Sequence, residues 1–115
     1  MEFRWNVFLA NLDPVIGSEQ GKTRPVLVVS DEDVNQLLSI VNVLPITSRK
    51  ENRKIYPNEV LLKAGAAGLP LESIVLCQQI RTLDKKRLIK HLGAIEDKML
   101  REEIIEAVSF QLGMK

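Results

Sequence analysis

Four short apolar runs restrict the fold of this chain more than any other feature. They are Val26-Leu27-Val28-Val29, Ile40-Val41-Asn42-Val43-Leu44-Pro45-Ile46, Glu59-Val60-Leu61-Leu62 and Ser73-Ile74-Val75-Leu76-Cys77-Gln78-Gln79-Ile80. Each has the length of a strand, and each is bounded by Pro, polar or charged residues. Arg4 to Leu12 reads as a further strand, with Phe8, Ala10 and Leu12 alternating against Val7 and Leu9, so that both faces are largely apolar. Leu88 to Ile95 reads as the last, after a turn at Asp84-Lys85-Lys86-Arg87. Pro45 implies an edge position or a break near the end of its strand. Several short strands in one small chain, closed by one helix, imply a small barrel or a pair of packed sheets.

The helical signals are two. Ser30-Asp31-Glu32-Asp33 has the form of a capping box, with Ser30 as cap and a short helix to about Ser39. Glu96 to Leu112 is the one long helix, with acidic residues in its first turn and Gly113 placed to end it. Its apolar residues, Met99, Leu100, Ile104, Ile105, Ala107, Val108, Phe110 and Leu112, cover more than half of its circumference. A surface helix usually buries a narrower stripe. Either a second face is covered by another copy or a partner, or the helix is sunk deep in its own fold.

At 115 residues the chain is one domain, 1–115. It has no apolar run of membrane-span length and no signal-peptide core at its start, so it reads as soluble and cytoplasmic, with no membrane partner. Cys77 is the only cysteine, which excludes an internal disulfide and a multi-cysteine zinc site, and its apolar surroundings read as a buried, inert thiol. His91 is the only histidine and reads as structural or solvent-facing. Asp31-Glu32-Asp33 is better explained as a helix start than as a metal site. The net charge is +1, but it is unevenly spread. Residues 1–48 carry three basic and six acidic side chains, residues 49–90 ten and four, and residues 91–115 three and five. The middle would attract a polyanion, or it is simply a solvated basic face.

The polar loop Gly17-Ser18-Glu19-Gln20-Gly21-Lys22-Thr23 ends at Arg24-Pro25 and runs into the buried strand at Val26. Loops held by a rigid scaffold commonly carry function. A residue before proline is held in extended backbone, and arginine grips phosphate bidentately, so Arg24 is the candidate phosphate ligand.

The chain resembles the MazF/PemK-type toxins along nearly its whole length. The residues that carry the likeness are Val7 to Pro14 with Gly17-Ser18-Glu19-Gln20-Gly21 and Thr23-Arg24-Pro25-Val26-Leu27-Val28, then Pro45-Ile46-Thr47-Ser48, then Ser73 to Leu88. The resemblance implies an α+β, mainly β fold: an SH3-like small barrel of the MazF/CcdB type with a short internal helix and a C-terminal helix. It implies a homodimer that cuts single-stranded RNA, chiefly messenger RNA, at specific sequences without a metal or other cofactor, restrained by a MazE-like antitoxin. The family's arginine–threonine pair falls on Arg24 and Thr47. Its substrate-contacting loop falls on Ser18, Glu19 and Gln20, and its late-strand polar residues on Gln78, Gln79 and Arg81. Positions where some relatives carry a histidine, arginine and aspartate are here Ser18, Leu76 and Gln78. The usual Arg-Gly-Asp or Arg-Gly-Glu before the first strand is Arg4-Trp5-Asn6.

RNA can be cut with no metal because its 2′-hydroxyl can attack the adjacent phosphate. Arg24 would then clamp the phosphate, stabilise its added charge and deliver a proton to the leaving oxygen, while Thr47 holds a non-bridging oxygen. Glu19 is the only loop carboxylate able to act as base. The structural alternatives are an ion pair for Arg24, with Glu19 itself as partner, and strand-end capping for Thr47. Gln78 and Gln79 each offer the donor and acceptor that base reading requires. Arg49, Lys50, Arg53 and Lys54 follow Thr47 as a rail for flanking phosphates. The competing function on the same fold is a non-enzymatic, CcdB-like gyrase poison or nucleic-acid-binding module, for which the Arg24/Thr47 pair is not needed.

Overall fold

Successive strand residues face opposite sides of a sheet, so a strand apolar on both faces must be covered on both. Strand β1 (Asn6–Asn11) is of this kind: Val7 enters one core cluster, Phe8 and Ala10 another. The computed structural model describes residues 1–114. After β1 come β2 (Thr23–Val28), helix α1 (Glu32–Leu37), β3 (Ile40–Ser48), β4 (Glu59–Leu62), β5 (Ser73–Leu76), β6 (Arg81–Asp84), β7 (Leu88–Ala94) and helix α2 (Lys98–Leu112). All strand pairs are antiparallel, in the order β4-β5-β3-β2-β1-β7, with β6 also on β3. One core gathers Val7, Leu27, Leu44, Ile46, Val75 and Ile104, and the other lies across the sheet around Phe8, Val26, Val28, Val43 and Leu83. A fully buried Leu or Ile contributes roughly 1.5–3 kcal/mol, so these side chains dominate the stability.

β3 organises the sheet because it changes partner along its length. Ile40–Val43 pairs with β6, Val43–Pro45 with β2, and Ile46–Ser48 with β5. The break expected at Pro45 falls where the strand passes from β2 to β5.

The outer strands β4 and β7 do not pair, so the barrel-like sheet is not closed by hydrogen bonds. Instead the turn after β4 is set backbone-to-backbone on β7. A Cβ on Gly68, whose φ is +76°, would lie 2.1 Å from the Leu92 carbonyl oxygen, and one on Gly93 would lie 2.5 Å from the Ala67 carbonyl. Only glycine permits this approach.

Several element boundaries differ from those expected. β1 starts at Asn6 because Arg4 and Trp5 form a turn, in which Trp5 has φ +66°. Arg4 and Arg101 lie over the Trp5 ring, 5.3 and 5.4 Å from its centroid. Asp31, not Ser30, caps α1: its carboxylate accepts the Asp33 N–H at 3.0 Å. The Ser30 hydroxyl is occupied by the Asn35 side chain and the Asn42 N–H. The run 73–80 is not one strand. β5 ends at Leu76, Cys77–Gln79 forms a 3-10 turn, and β6 follows as a strand not expected from the sequence. α2 starts at Lys98, capped by Asp97, and Gly113 ends it with φ +69°. It is not sunk in the fold: Ile104 and Ala107 are buried, whereas Met99, Ile105, Phe110 and Leu112 are exposed. No helix among the described residues is long and apolar enough to cross a membrane.

Candidate active site

The change of partner along β3 makes the site. β2 and β3 pair from Val28/Val43 to Val26/Pro45, and neither Pro25 nor Pro45 has an N–H to extend the ladder. Beyond that point β3 turns to β5, while Thr23, Arg24 and Pro25 stay on β1. Continuing the β2–β3 register by two residues sets Arg24 opposite Thr47. The strands diverge there into a pocket of about 410 Å³, with Arg24, Thr47, Lys22, Ser48, Pro70 and Ser73 in its lining. Arg24 therefore stands within β2, not at the end of the loop as expected. It is half-buried, and its Nε–H donates to the Gly21 carbonyl at 2.9 Å, a bond that does not use its terminal amino groups.

Arg24 takes part in none of the ion pairs among the described residues, which involve Arg4, Arg49 and Arg53. The alternative of an Arg24–Glu19 pair is thereby excluded. Glu19 lines a different pocket, and its carboxylate accepts the Ile16 N–H of its own turn at 2.6 Å. It does not line the pocket of Arg24 and Thr47, so the structure gives it no position as their base.

The second pocket, about 490 Å³, is lined by Glu19, Gln78, Gln79, Ile80, Arg81 and Thr82. The residues expected to read RNA are thus brought together, apart from Ser18 and Gln20 on its loop side. Gln79 ties the loop down: its Oε1 accepts the Gln20 N–H at 3.4 Å and its Nε2 donates to the Ser18 carbonyl at 3.2 Å. Arginines hold the loop entrance, Arg81 donating to the Leu12 carbonyl and Arg87 to those of Asn11 and Asp13. Asp13 in turn accepts the Lys22 N–H at 2.7 Å. The loop between the two pockets is therefore fixed at both ends.

The basic rail is only partly as expected. Arg53 is committed to Glu59 through two bonds of 2.8 and 2.9 Å, and Arg49 to the Arg53 carbonyl and the Glu72 carboxylate. Lys50 and Lys54 remain exposed. Glu59 was not singled out by the sequence. Its side chain is fully buried at the start of β4, where it also accepts the Tyr56 N–H and, at 2.6 Å, the Gln78 amide. The Arg53 hydrogen bonds, outweighing burial and helped by Gln78 and Tyr56, hold its pKa down to about 2. A glutamate opening an apolar strand gives no sign of burial, and its partners become visible only once β4 and β5 are paired.

Cys77 is buried, and burial pushes its thiol up to about 12, as suits an unreactive core residue. His91 is exposed, bonded to Asn6 and edge-on to Phe8, and lines neither pocket. Among the described residues no three His, Cys, Asp or Glu side chains cluster as metal ligands. A further cavity, of about 570 Å³ between β7, the turn after β4 and α2, has none of the expected site residues in its lining.

Residues 3–110 match the family model described as PemK-like, MazF-like toxin of type II toxin-antitoxin system. The chain is 40% identical to Endoribonuclease MazF of Staphylococcus saprophyticus, covering 96% of this chain and 91% of that one. It is 36% identical to Endoribonuclease EndoA of Bacillus subtilis, over 96% of this chain and 94% of that one. Among solved structures, the MazE-MazF crystal structure (Form-II) from Deinococcus radiodurans is similar, with a TM-score of 0.73 and 31% identity over 100% of this chain and 97% of that one.

Proposed function

The chain belongs to the PemK-like, MazF-like toxins of type II toxin–antitoxin systems, and from that premise we propose that it is a sequence-specific endoribonuclease acting on single-stranded RNA in the cytoplasm. The observation that carries the reading is the convergence of Arg24 and Thr47, from facing strands, on one pocket.

The reaction follows from what those side chains can do. The 2′-hydroxyl attacks the adjacent phosphorus as the bond to the 5′-oxygen breaks, leaving a 2′,3′-cyclic phosphate and a 5′-hydroxyl. Charge builds on the non-bridging oxygens, where the Arg24 guanidinium and the Thr47 hydroxyl donate hydrogen bonds. Arginine is a weak acid, but the departing alkoxide is more basic still, so Arg24 supplies its proton as it forms, while the proton lost by the attacking 2′-hydroxyl passes to solvent water, which reprotonates Arg24. No metal is required by this scheme. Gln78, Gln79 and Arg81, with Ser18, Glu19 and Gln20 across the groove, contact the flanking bases. Lys50 and Arg49 meet neighbouring phosphates, Arg49 through the donors its internal bonds leave over.

The partners follow the same logic. A second copy would cover apolar surface that α2 leaves in water, giving a homodimer. A MazE-like antitoxin would inhibit by occupying the groove, a reading supported by the MazE-MazF assembly of the Deinococcus relative. Incubating the protein with a long RNA in EDTA and mapping the new 5′ ends tests the activity. Recurrent cuts at one short sequence, with 5′-hydroxyl ends, are expected; intact RNA would contradict the proposal, and growth arrest with damaged DNA would point to a gyrase poison.

A further inference from the structure

Among the described residues, just two buried side-chain polar atoms lack a hydrogen-bond partner: Gln20 Oε1 and Gln78 Oε1. Both belong to segments joined by Gln79, which follows Gln78 and holds the Gln20 N–H. A buried acceptor left without a donor costs roughly 1–3 kcal/mol and calls for an explanation. Gln78 lines the 490 Å³ pocket beside Glu19, Gln79 and Arg81. Its amide is not free to turn. The Nε2 group donates to Glu59 Oε2 at 2.6 Å, and Glu59 can only accept, so the carbonyl must point the other way.

We infer that Glu59 is a positioning residue for base recognition: it orients the Gln78 amide so that the carbonyl oxygen, buried in the free protein, meets a base edge that donates an N–H when RNA enters the pocket that Gln78 lines. This rests on the endoribonuclease reading of the site. Glu59 is itself held rigidly, with Arg53 gripping both carboxylate oxygens and the Tyr56 N–H bonded to Oε1. Orientation is thus passed from a buried ion pair, through one amide, to the groove. The donor and acceptor ends of an amide are nearly the same shape, so selectivity between base edges depends on which end is presented.

Glu59→Gln changes that choice while nearly preserving shape. Arg53 Nη1 and the Tyr56 N–H both require an oxygen at the Oε1 position, which leaves the new NH2 group facing Gln78, with the Arg53 Nη2 bond lost. The Gln78 amide then turns over, accepts from residue 59 and presents its own NH2 to the groove. Mapping the 5′ ends from one long RNA should show the preferred wild-type site cut about tenfold less often relative to other sites, as one lost hydrogen bond implies, and new sites favoured at one base position. Glu59→Asp, which keeps the charge beside Arg53 but withdraws its oxygen from Gln78, carries the same expectation if Glu59→Gln does not fold. Arg53→Lys disturbs the same ion pair yet leaves Gln78 bonded to Glu59, so it should lower stability without moving the cut sites. Glu59 variants that cut more slowly but in wild-type proportions would overturn the inference. Wild-type protein that leaves RNA intact would instead overturn the endoribonuclease reading beneath it.

Discussion

Arg24 and Thr47 are held by backbone, not by each other. Arg24 is fixed by the following proline, by its pairing with Ala10 and by one bond from Nε to Gly21, while Thr47 is fixed by its pairing with Ile74. Under the proposed mechanism, truncating either side chain therefore removes chemistry and little structure. Arg24→Ala and Thr47→Ala should each lower RNA cleavage by about 10²–10³-fold, the usual cost of removing a donor to developing charge. The free energy of denaturant unfolding should change by less than about 1 kcal/mol, as for substitutions outside the core. A large stability loss in either variant would show that the pair is structural. Arg24 drew notice from the sequence because an arginine before a proline is a local signal, whereas Thr47 entered only through the resemblance. Glu59 was not legible, since its three partners come from a loop before it and a turn 19 residues after it.

At the scale of elements, the fold depends on a seam and two hydrogen-bonded carboxylates, Glu59 buried and Glu32 partly exposed. Gly68→Ala would drive a methyl group into the Leu92 carbonyl at a positive φ. It should lower unfolding stability by about 2 kcal/mol or more, read as a lower urea midpoint at unchanged slope. Glu32 ties α1 to the chain start. Against burial, which alone would raise its pKa, bonds from Arg4 N–H, Gln36, Asn35 and Phe3 N–H hold it down to about 2. Glu32 and Glu59 thus bind protons more readily unfolded, near 4.5, than folded, near 2. Their stabilisation is present above about pH 4.5 and lost as the pH falls toward 2. Urea unfolding across that range should show this decline, and Glu32→Gln should make it shallower; a profile unchanged by the substitution would contradict the assignment. The strands rich in Val and Ile were legible from composition and length. β6 was not, because only Leu83 in it is buried and its identity as a strand comes from pairing with β3.

For the whole molecule, charge and apolar surface point outward together. The basic middle of the sequence is partly neutralised internally, by Glu59 and Glu72, so its polyanion-facing charge is carried more by lysines than the sequence suggested. Helix α2 presents Phe110, 56% exposed, and Leu112, 50% exposed, to solvent. Sedimentation should give a mass near twice the 13.0 kDa of one chain, and a monomer at micromolar concentration would contradict the homodimer. The apolar excess of this helix was legible, but whether it was covered from within required the packing of the sheet.

Under the proposed mechanism, Arg24 and Thr47 act on an RNA whose own 2′-hydroxyl is the nucleophile. Once a cut site has been mapped, one oligonucleotide carrying that site should be compared, in EDTA, with its counterpart bearing a single 2′-deoxy sugar at the scissile position. Cleavage of the first and none of the second is expected. Cleavage of both, or of neither until a divalent metal is restored, would contradict it.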